Sequence, residues 1–326
     1  MFVMISVIIP CYNAGHTIEH TLESLRKQTY QDFEAVIIND GSKDNTLEVV
    51  EKYRRCHTIN INIINQENAG VSAARNSGIR AAKGEFITLL DADDCYEPHF
   101  LEYLYGGLVE NNADIAFCRY ERVKQRNIVG IKEKGVEEVR LTKYEIIDLY
   151  KDNRMNCLNA WCAIYKIDIL KLNDIFFREG VKYGEDTEFF CKYVYHCDAG
   201  GVLINSCLYR YMVNADSVMH KISYERIQSI EVFMRVVEYW KQEPLFDLEV
   251  GNYLVDRAIW AVAKDFVNNR EFFTRLKTDY DIKKSMKNMY KNASEYTVRI
   301  SAVFYLINWQ LFRIVIKVYE KIRQGI

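Results

Sequence analysis

The 326 residues predict an α/β protein, with a mostly parallel sheet flanked by helices and then a helical C-terminal region. Three observations lead there. Short β-branched runs alternate with amphipathic stretches through the first 118 residues. The most polar, turn-like segments sit at the ends of those runs. From about residue 222 the apolar positions recur at helical spacing. Alternation of strand and helix at this pace makes a parallel sheet with helices on both faces.

Residues 5–10, Ile-Ser-Val-Ile-Ile-Pro, predict a buried strand, and 16–28 a helix with Ile18, Leu22 and Leu25 on one face. Residues 34–38 form a second strand, closed by Asn39-Asp40-Gly41-Ser42. Asp44 or Asn45 can cap the next helix, which runs to about Arg54. A third strand is expected over 59–64. A small-residue helix follows from Val71 to Ala82 and ends at Gly84. The fourth strand, 85–90, runs directly into Asp91-Ala92-Asp93-Asp94. A helix starts after Pro98, and Asp114–Cys118 is a fifth strand. Residues 119–220 are irregular apart from a strand near 202–211, and Pro244 separates two of the C-terminal helices. The expected division is a domain over 1–220 and a helical region over 221–326.

Composition narrows the function. The chain is 49% apolar, enough for a sizeable core, and carries 43 basic against 45 acidic residues. Nucleic acid as the main partner calls for a clear basic excess, which is absent. Nine cysteines, an odd number with no Cys-x-x-Cys pair, argue against zinc and against a disulfide framework. They read as reduced thiols of a cytoplasmic protein. The start, Met1-Phe2-Val3-Met4-Ile5, has neither the basic opening nor the cleavage site of a signal peptide, and no run of 18 apolar residues occurs.

Ligands of doubly wound sheets bind at the carboxyl ends of the strands. Cys11–Asn13, Asn39–Ser42 and Asp91–Asp94 all fall there. An Asp-x-Asp such as Asp91-Ala92-Asp93 is by itself most often a solvated turn. After a buried strand of this sheet it suits a hard divalent cation bridging two phosphates. Asp40 can accept a hydrogen bond from a base or ribose, although an Asp-Gly-Ser turn alone is the commoner use. Tyr12 and Asn13 can line the same crevice or merely pack. Arg75, beside Asn76, has the forked guanidinium that fits a diphosphate, with a solvated helix face as the bland alternative. Glu185-Asp186 opens an apolar helical run. A carboxylate there is kept charged by the helix dipole, as a general base must be, or simply caps the helix.

These segments together resemble the family 2 glycosyltransferases. The likeness rests on Val7-Ile8-Ile9-Pro10-Cys11-Tyr12-Asn13, Ile38-Asn39-Asp40-Gly41-Ser42-Lys43-Asp44-Asn45-Thr46, Asn68–Gly78, Leu90-Asp91-Ala92-Asp93-Asp94 and Gly184-Glu185-Asp186. It spans about residues 4–220, and the order and spacing of the set are highly specific. The resemblance implies a GT-A (Rossmann-like) fold and an inverting transferase that uses a nucleotide sugar. It implies nucleotide-sugar contacts at Pro10, Tyr12, Asn13, Asp40, Arg75, Asp91 and Asp93. Among these, Asp40 would read the base, usually uracil, Asp91 the ribose, and Asp93 would ligate Mn²⁺ or Mg²⁺. Asp186 would be the catalytic base. Asn39 departs from the family, which often has a second aspartate there. Arg210-Tyr211 and Asp216-Ser217-Val218 loosely resemble a region that closes over the diphosphate, and His220 is a further contact candidate. The implied setting is bacterial surface-polysaccharide or glycoconjugate synthesis on a glycan or lipid-linked glycan acceptor.

Rival classes lack their signatures. No Gly-x-Gly-x-x-Gly supports a dinucleotide oxidoreductase, and no Gly-x-x-x-x-Gly-Lys-[Ser/Thr] supports a P-loop enzyme. A non-catalytic sugar-nucleotide binder or scaffold on the same fold is the remaining alternative, and the presence of Asp93 and Asp186 speaks against it. Residues 302–319 are largely apolar, with Gln310, Arg313, Lys317, Glu320, Lys321 and Gln324 recurring on one helical stripe. Two occupants suit the apolar remainder. One is the helix's own neighbours or a partner subunit in a homodimer. The other is the inner membrane face, which the helix would hold peripherally.

Overall fold

The computed structural model describes residues 4–123, 136–151, 158–213 and 222–324. Two compact units divide the chain. The first comprises Met1–Ile146, Met155–Val181 and Glu185–Asp216, the second Ile147–Arg154, Lys182–Gly184 and Ser217–Ile326.

In the first unit, β1 (Ile5–Cys11) lies between β2 (Phe33–Asp40) and β4 (Phe86–Leu89), and β2 pairs outward with β3 (Ile61–Gln66). All these pairings are parallel, with Ile5 opposite both Phe33 and Phe86. The β1 and β2 runs are buried almost throughout, as strands covered on both faces require. Helices α1 (Ile18–Arg26), α2 (Thr46–Cys56) and α3 (Val71–Ala81) make the crossovers. The α3 helix approaches the sheet at Gly78, where a Cβ would come within 2.2 Å of Ile8 Cγ2. Only glycine permits that contact.

Beyond β4 the sheet changes direction. A strand absent from the sequence reading, β8 (Ala163–Lys166), inserts antiparallel between β4 and β6 (Ile115–Val123). β6 then pairs in parallel with β9 (Gly201–Met212). The other edge of β9 takes the short antiparallel strands β5 (Cys95–Tyr96) and β7 (Glu138–Leu141). The sheet is therefore mixed, and its longest pairings are parallel. Four helices complete the unit's elements: α4 (Phe100–Glu110), α5 (Lys143–Asp148) at its boundary, α6 (Ile167–Leu172) and α7 (Glu185–Tyr195).

The second unit is helical: α8 (Gln228–Trp240), α9 (Leu248–Phe266), α10 (Arg270–Asp279), α11 (Ile282–Asn292), α12 (Tyr296–Ile307) and α13 (Trp309–Gln324). Pro244 lies in the α8–α9 break, as its sequence position predicts. Side chains start α9, α10 and α11. Asp247 accepts from Glu249 N (2.8 Å), Asn269 from Phe272 N (3.1 Å) and Asp281 from Lys284 N (3.0 Å). Trp240, Phe266 and Phe312 are fully buried, and the Trp260 indole donates to Ser301 Oγ at 2.9 Å.

Residues 302–319, expected as a single helical stretch, are split at Asn308. That residue is extended (φ −162°, ψ 130°), and its Oδ1 accepts from Gln310 N at 2.7 Å. The carboxamide begins a new helix where the apolar pattern alone reads straight through. No helix among the described residues is long and apolar enough to cross a membrane.

Candidate active site

The parallel register sets the crevice. Cys11 ends opposite Asn39, and Asp40 opposite Gln66. Leu90 N donates to Ile8 O (3.0 Å), so the β4 exit, and with it Asp91, emerges beside the β1 exit. Three of the sequence-predicted segments thus meet at one sheet end, for the reason that governs open α/β sheets.

Two loops there are tied together. Asn13, with a positive φ of 51°, accepts from Lys43 N (2.8 Å) through Oδ1 and donates its own N–H to Ser42 Oγ (3.1 Å). Ala14 N donates to Thr46 Oγ1 (2.7 Å), and Gly15 N to Asp44 Oδ2 (3.0 Å). Asn39, the departure from the family pattern, accepts from Ser42 N (3.2 Å) and donates to Asn65 Oδ1 (2.9 Å). Asn39 thus braces the turn that presents Asp40. Pro10 is half-buried in register with Ile38, whereas the Tyr12 ring is 53% exposed.

Asp40 is buried and held from its far side. Its Oδ1 accepts from Gln66 Nε2 (2.8 Å) and Ala69 N (2.9 Å), and its Oδ2 from Gly70 N (2.9 Å). A carboxylate offers about four acceptor sites, so about one stays for a ligand N–H. Gly41 adopts φ +71°, and a Cβ there would meet Asn68 N at 2.9 Å. Glycine is what lets this turn close.

At the β4 exit, Arg75 is the organising cation. It is 4% exposed, and its Nη2 donates to Asp91 Oδ1 (2.8 Å) while Nη1 reaches Glu185 Oε1 (3.3 Å). Its guanidinium carbon sits 5.1 Å from the Phe177 ring centroid. Neighbouring Asn76 is buried and exchanges hydrogen bonds with the Phe177 backbone in both directions (2.8 and 2.9 Å). One turn of α3 therefore links the Asp91 loop to the start of α7.

Five carboxyls gather here: Asp91, Asp93, Asp94, Glu185 and Asp186. Burial pushes Glu185 up to about 7, the Asp186 charge adds to that, and Arg75 opposes it. Asp186 is also raised, chiefly by burial, against Arg75 and the Thr187 N–H at 2.8 Å. Both acids open α7, where the backbone dipole favours their charged forms. Asp94 is buried and accepts from the Tyr209 hydroxyl (2.7 Å) and Met212 N (2.7 Å). Burial, then the Asp91 and Asp93 charges, push it up to about 8. Tyr209 also takes the Asp91 N–H at 3.4 Å, so the Asp-x-Asp loop is anchored to β9.

Asp91 and Asp93 are half-exposed and offer hard oxygen ligands. Among the described residues, no cluster of three His, Cys, Asp or Glu side chains could hold a metal alone. One or two carboxylates, completed by phosphate oxygens and water, is the usual protein share for Mg²⁺-like ions, and this donor set fits it.

Arg210 and Tyr211 fall on β9. Arg210 makes ion pairs with Glu97, fully buried, and with exposed Glu121. Tyr211 stacks on Trp161 (5.8 Å between centroids), which also meets Tyr209 (4.4 Å) and Tyr120 (4.8 Å). Asp216, Ser217, Val218 and His220 lie outside the described residues. Sequence reading missed this aromatic group and the buried role of Asp94. Trp161 sits in a segment without periodicity, and nothing local distinguishes Asp94 from a solvated neighbour of Asp93.

Comparisons with known proteins bear on the fold and the family. The chain is 29% identical over 191 residues to the glycosyltransferase EpsJ of Bacillus subtilis, covering 58% of this chain and 55% of that one. It thus spans about half the length of that relative. It is 30% identical over 207 residues to the poly(ribitol-phosphate) β-N-acetylglucosaminyltransferase TarS of Staphylococcus aureus, covering 63% and 35% respectively. The solved structure of S. aureus TarS 1–349 in complex with UDP-GlcNAc superposes with a TM-score of 0.70 over 99% of this chain and 92% of that one, at 22% identity. The mannosyltransferase PcManGT of Pyrobaculum calidifontis, in complex with GDP-Man and Mn²⁺, gives 0.54 over 96% and 86%, at 16% identity. At those identities the structural likeness shows the fold, which is GT-A. The model of the family described as "Glycosyl transferase family 2" matches residues 6–172, and with the Asp-x-Asp loop and the Glu185-Asp186 helix start in place, the chain belongs to that family.

Proposed function

We propose that the chain transfers a sugar, with inversion, from a UDP-sugar to an acceptor hydroxyl in cell-surface polysaccharide or glycoconjugate synthesis. The observation that supports this most is the Arg75 bridge. One buried cation holds the Asp-x-Asp loop and the Glu185-Asp186 helix start in a single cluster. Donor binding and proton removal thereby share one rigid frame.

In this reading Asp40 keeps one acceptor site for a base N–H, and exposed Tyr12 lies beside it. Asp91 receives the ribose, with Pro10 and Asn13 shaping the crevice wall. Arg75 positions Asp91 and Glu185 and gives positive charge to the diphosphate side. Asp186 takes the proton from the acceptor hydroxyl as that oxygen attacks the anomeric carbon. The bond to the departing nucleoside diphosphate breaks in the same displacement, so the configuration inverts. Asp93, with Asp91 near it, would hold Mn²⁺ or Mg²⁺, which when bound supplies charge stabilisation to the diphosphate. TarS was solved with UDP-GlcNAc, which favours UDP as the nucleotide.

The test is a screen of nucleotide sugars for metal-dependent release of nucleoside diphosphate, followed by acceptor transfer. Asp93→Asn removes a charged ligand and is expected to lower turnover by about 10²-fold or more. Full activity of that variant, or equal activity with excess chelator, overturns the metal role. No turnover of any nucleotide sugar, despite saturable donor binding, overturns the transferase reading.

A further inference from the structure

The α13 helix separates its apolar residues into two sets that the sequence pattern merges. Phe312 and Ile316 are buried (0% and 1% exposed), and Phe312 packs edge-on against Tyr305 of α12 at 5.6 Å. Trp309 stacks on Phe273 of α10 at 5.5 Å, so it serves internal packing. Ile314 and Val318, by contrast, are 57% and 52% exposed, and Ile307 at the preceding helix end is 66% exposed. Leu311 is half-exposed. At 3.6 residues per turn, Leu311, Ile314 and Val318 fall within about 60° of one another on the helix surface. Exposed Arg313, Lys317 and Lys321 occupy the adjoining sector, and the buried pair lies on the remaining side.

The charge along the chain leading into and through this strip is one-sided. From Asp281 to Lys321 the chain has eight lysines and arginines and three acids, within a protein of net charge −2. The α11 lysines Lys283, Lys284, Lys287 and Lys291 are exposed, as is Arg299 of α12. An exposed aliphatic strip bordered by cations, on a helix whose other side is anchored in a core, matches an interfacial helix on an anionic lipid surface. Basic side chains near such a surface contribute favourably, and their aliphatic stems lie along the lipid boundary. A protein partner taking the same strip would bury cations against it and would need matching acids.

We propose that this α13 face, Leu311, Ile314 and Val318 with Arg313, Lys317 and Lys321, is a peripheral docking surface for anionic lipid bilayers. The surface lies wholly in the second unit and uses none of the residues assigned to transfer, so it stands or falls independently of that reading.

The experiment is co-flotation of the full chain with phosphatidylcholine–phosphatidylglycerol vesicles against pure phosphatidylcholine vesicles. Sedimentation of the protein alone reports self-association. Binding is expected only to the anionic vesicles, and should weaken with salt. Ile314→Ser with Val318→Ser should weaken it by about ten-fold or more. Arg313→Glu with Lys317→Glu should do so on a similar scale. Both pairs are exposed, and an unchanged far-ultraviolet circular dichroism spectrum checks that each variant folds. Failure to bind anionic vesicles, or binding that neither pair alters, overturns the proposal. A dimer that the Ile314/Val318 pair abolishes, without any vesicle binding, also overturns it and assigns the strip to a second copy of the chain.

Discussion

Glu185 and Asp186 are neighbours in sequence but are held differently. Glu185 is engaged by the Arg75 guanidinium at 3.3 Å, whereas Asp186 accepts the Thr187 N–H at 2.8 Å. Asp186→Asn preserves shape and removes the basic oxygen. Acceptor transfer is expected to fall by roughly 10²–10⁴-fold with donor affinity nearly kept. Steady-state kinetics with donor and acceptor varied separately check this. A larger loss in Glu185→Gln than in Asp186→Asn would reassign the base. A base must be unprotonated, so transfer should rise with pH through the range where this pair ionises, near 7 for Glu185. Arg75 opposes the upward shifts of both acids, so in Arg75→Gln the rising limb should move to higher pH. A limb that stays in place would mean the cation does not face the titrating pair. The same shift has a stability consequence. Glu185 ionises near 4.5 when unfolded and near 7 when folded, so its contribution is present below 4.5 and is lost as pH rises to about 7. Asp40, Asp91 and Asp93 were legible as candidates because polar residues ending buried strands stand out, and Asp186 because it opens an apolar helical run. The Arg75 partners were not, because Glu185 lies 110 positions away and only the folded chain brings it within reach.

At the scale of elements, close approach and capping decide what pattern cannot. Gly78→Ala adds a Cβ within 2.2 Å of Ile8 Cγ2, against a strand that cannot move without disturbing its two parallel neighbours. The alanine gains helix propensity of about 1 kcal/mol, and overpacking costs typically 1–3 kcal/mol. Net destabilisation is expected, seen as a lower urea midpoint, and an unchanged midpoint would show that α3 can shift outward. Asn308→Ala removes the carboxamide that starts α13 and should cost about 1 kcal/mol. Thermal unfolding followed at 222 nm checks it. Most strand and helix positions in the first 118 residues were readable, since buried parallel strands are nearly continuous apolar runs. β8 was not, because four residues without alternation that run straight into α6 leave no period to detect.

At the scale of the whole molecule, burial governs the cysteines. Among the eight described, Cys56 alone is exposed, Cys207 is intermediate, and Cys11, Cys95, Cys118, Cys162, Cys191 and Cys197 are buried. Burial pushes the Cys11 and Cys197 thiols well above the ordinary range, so little thiolate forms there. A thiol reagent should therefore modify Cys56 rapidly and the six buried thiols only on unfolding. Cys56→Ser should remove one equivalent from the fast phase, and fast loss of Cys11 would contradict the buried β1 end.

The sequence by itself determined the alternating α/β order, the strand ends that carry the candidate site, and the family. Apolar runs and turn chemistry are local, and the motif spacing survives any detail of packing. Only the tertiary structure decided the antiparallel insertion of β8, the union of Asp91 and Glu185 through Arg75, and the break at Asn308. It alone sorted the apolar residues of α13 into buried and exposed. Each of these depends on which distant residues come into contact, and a one-dimensional pattern holds no record of that.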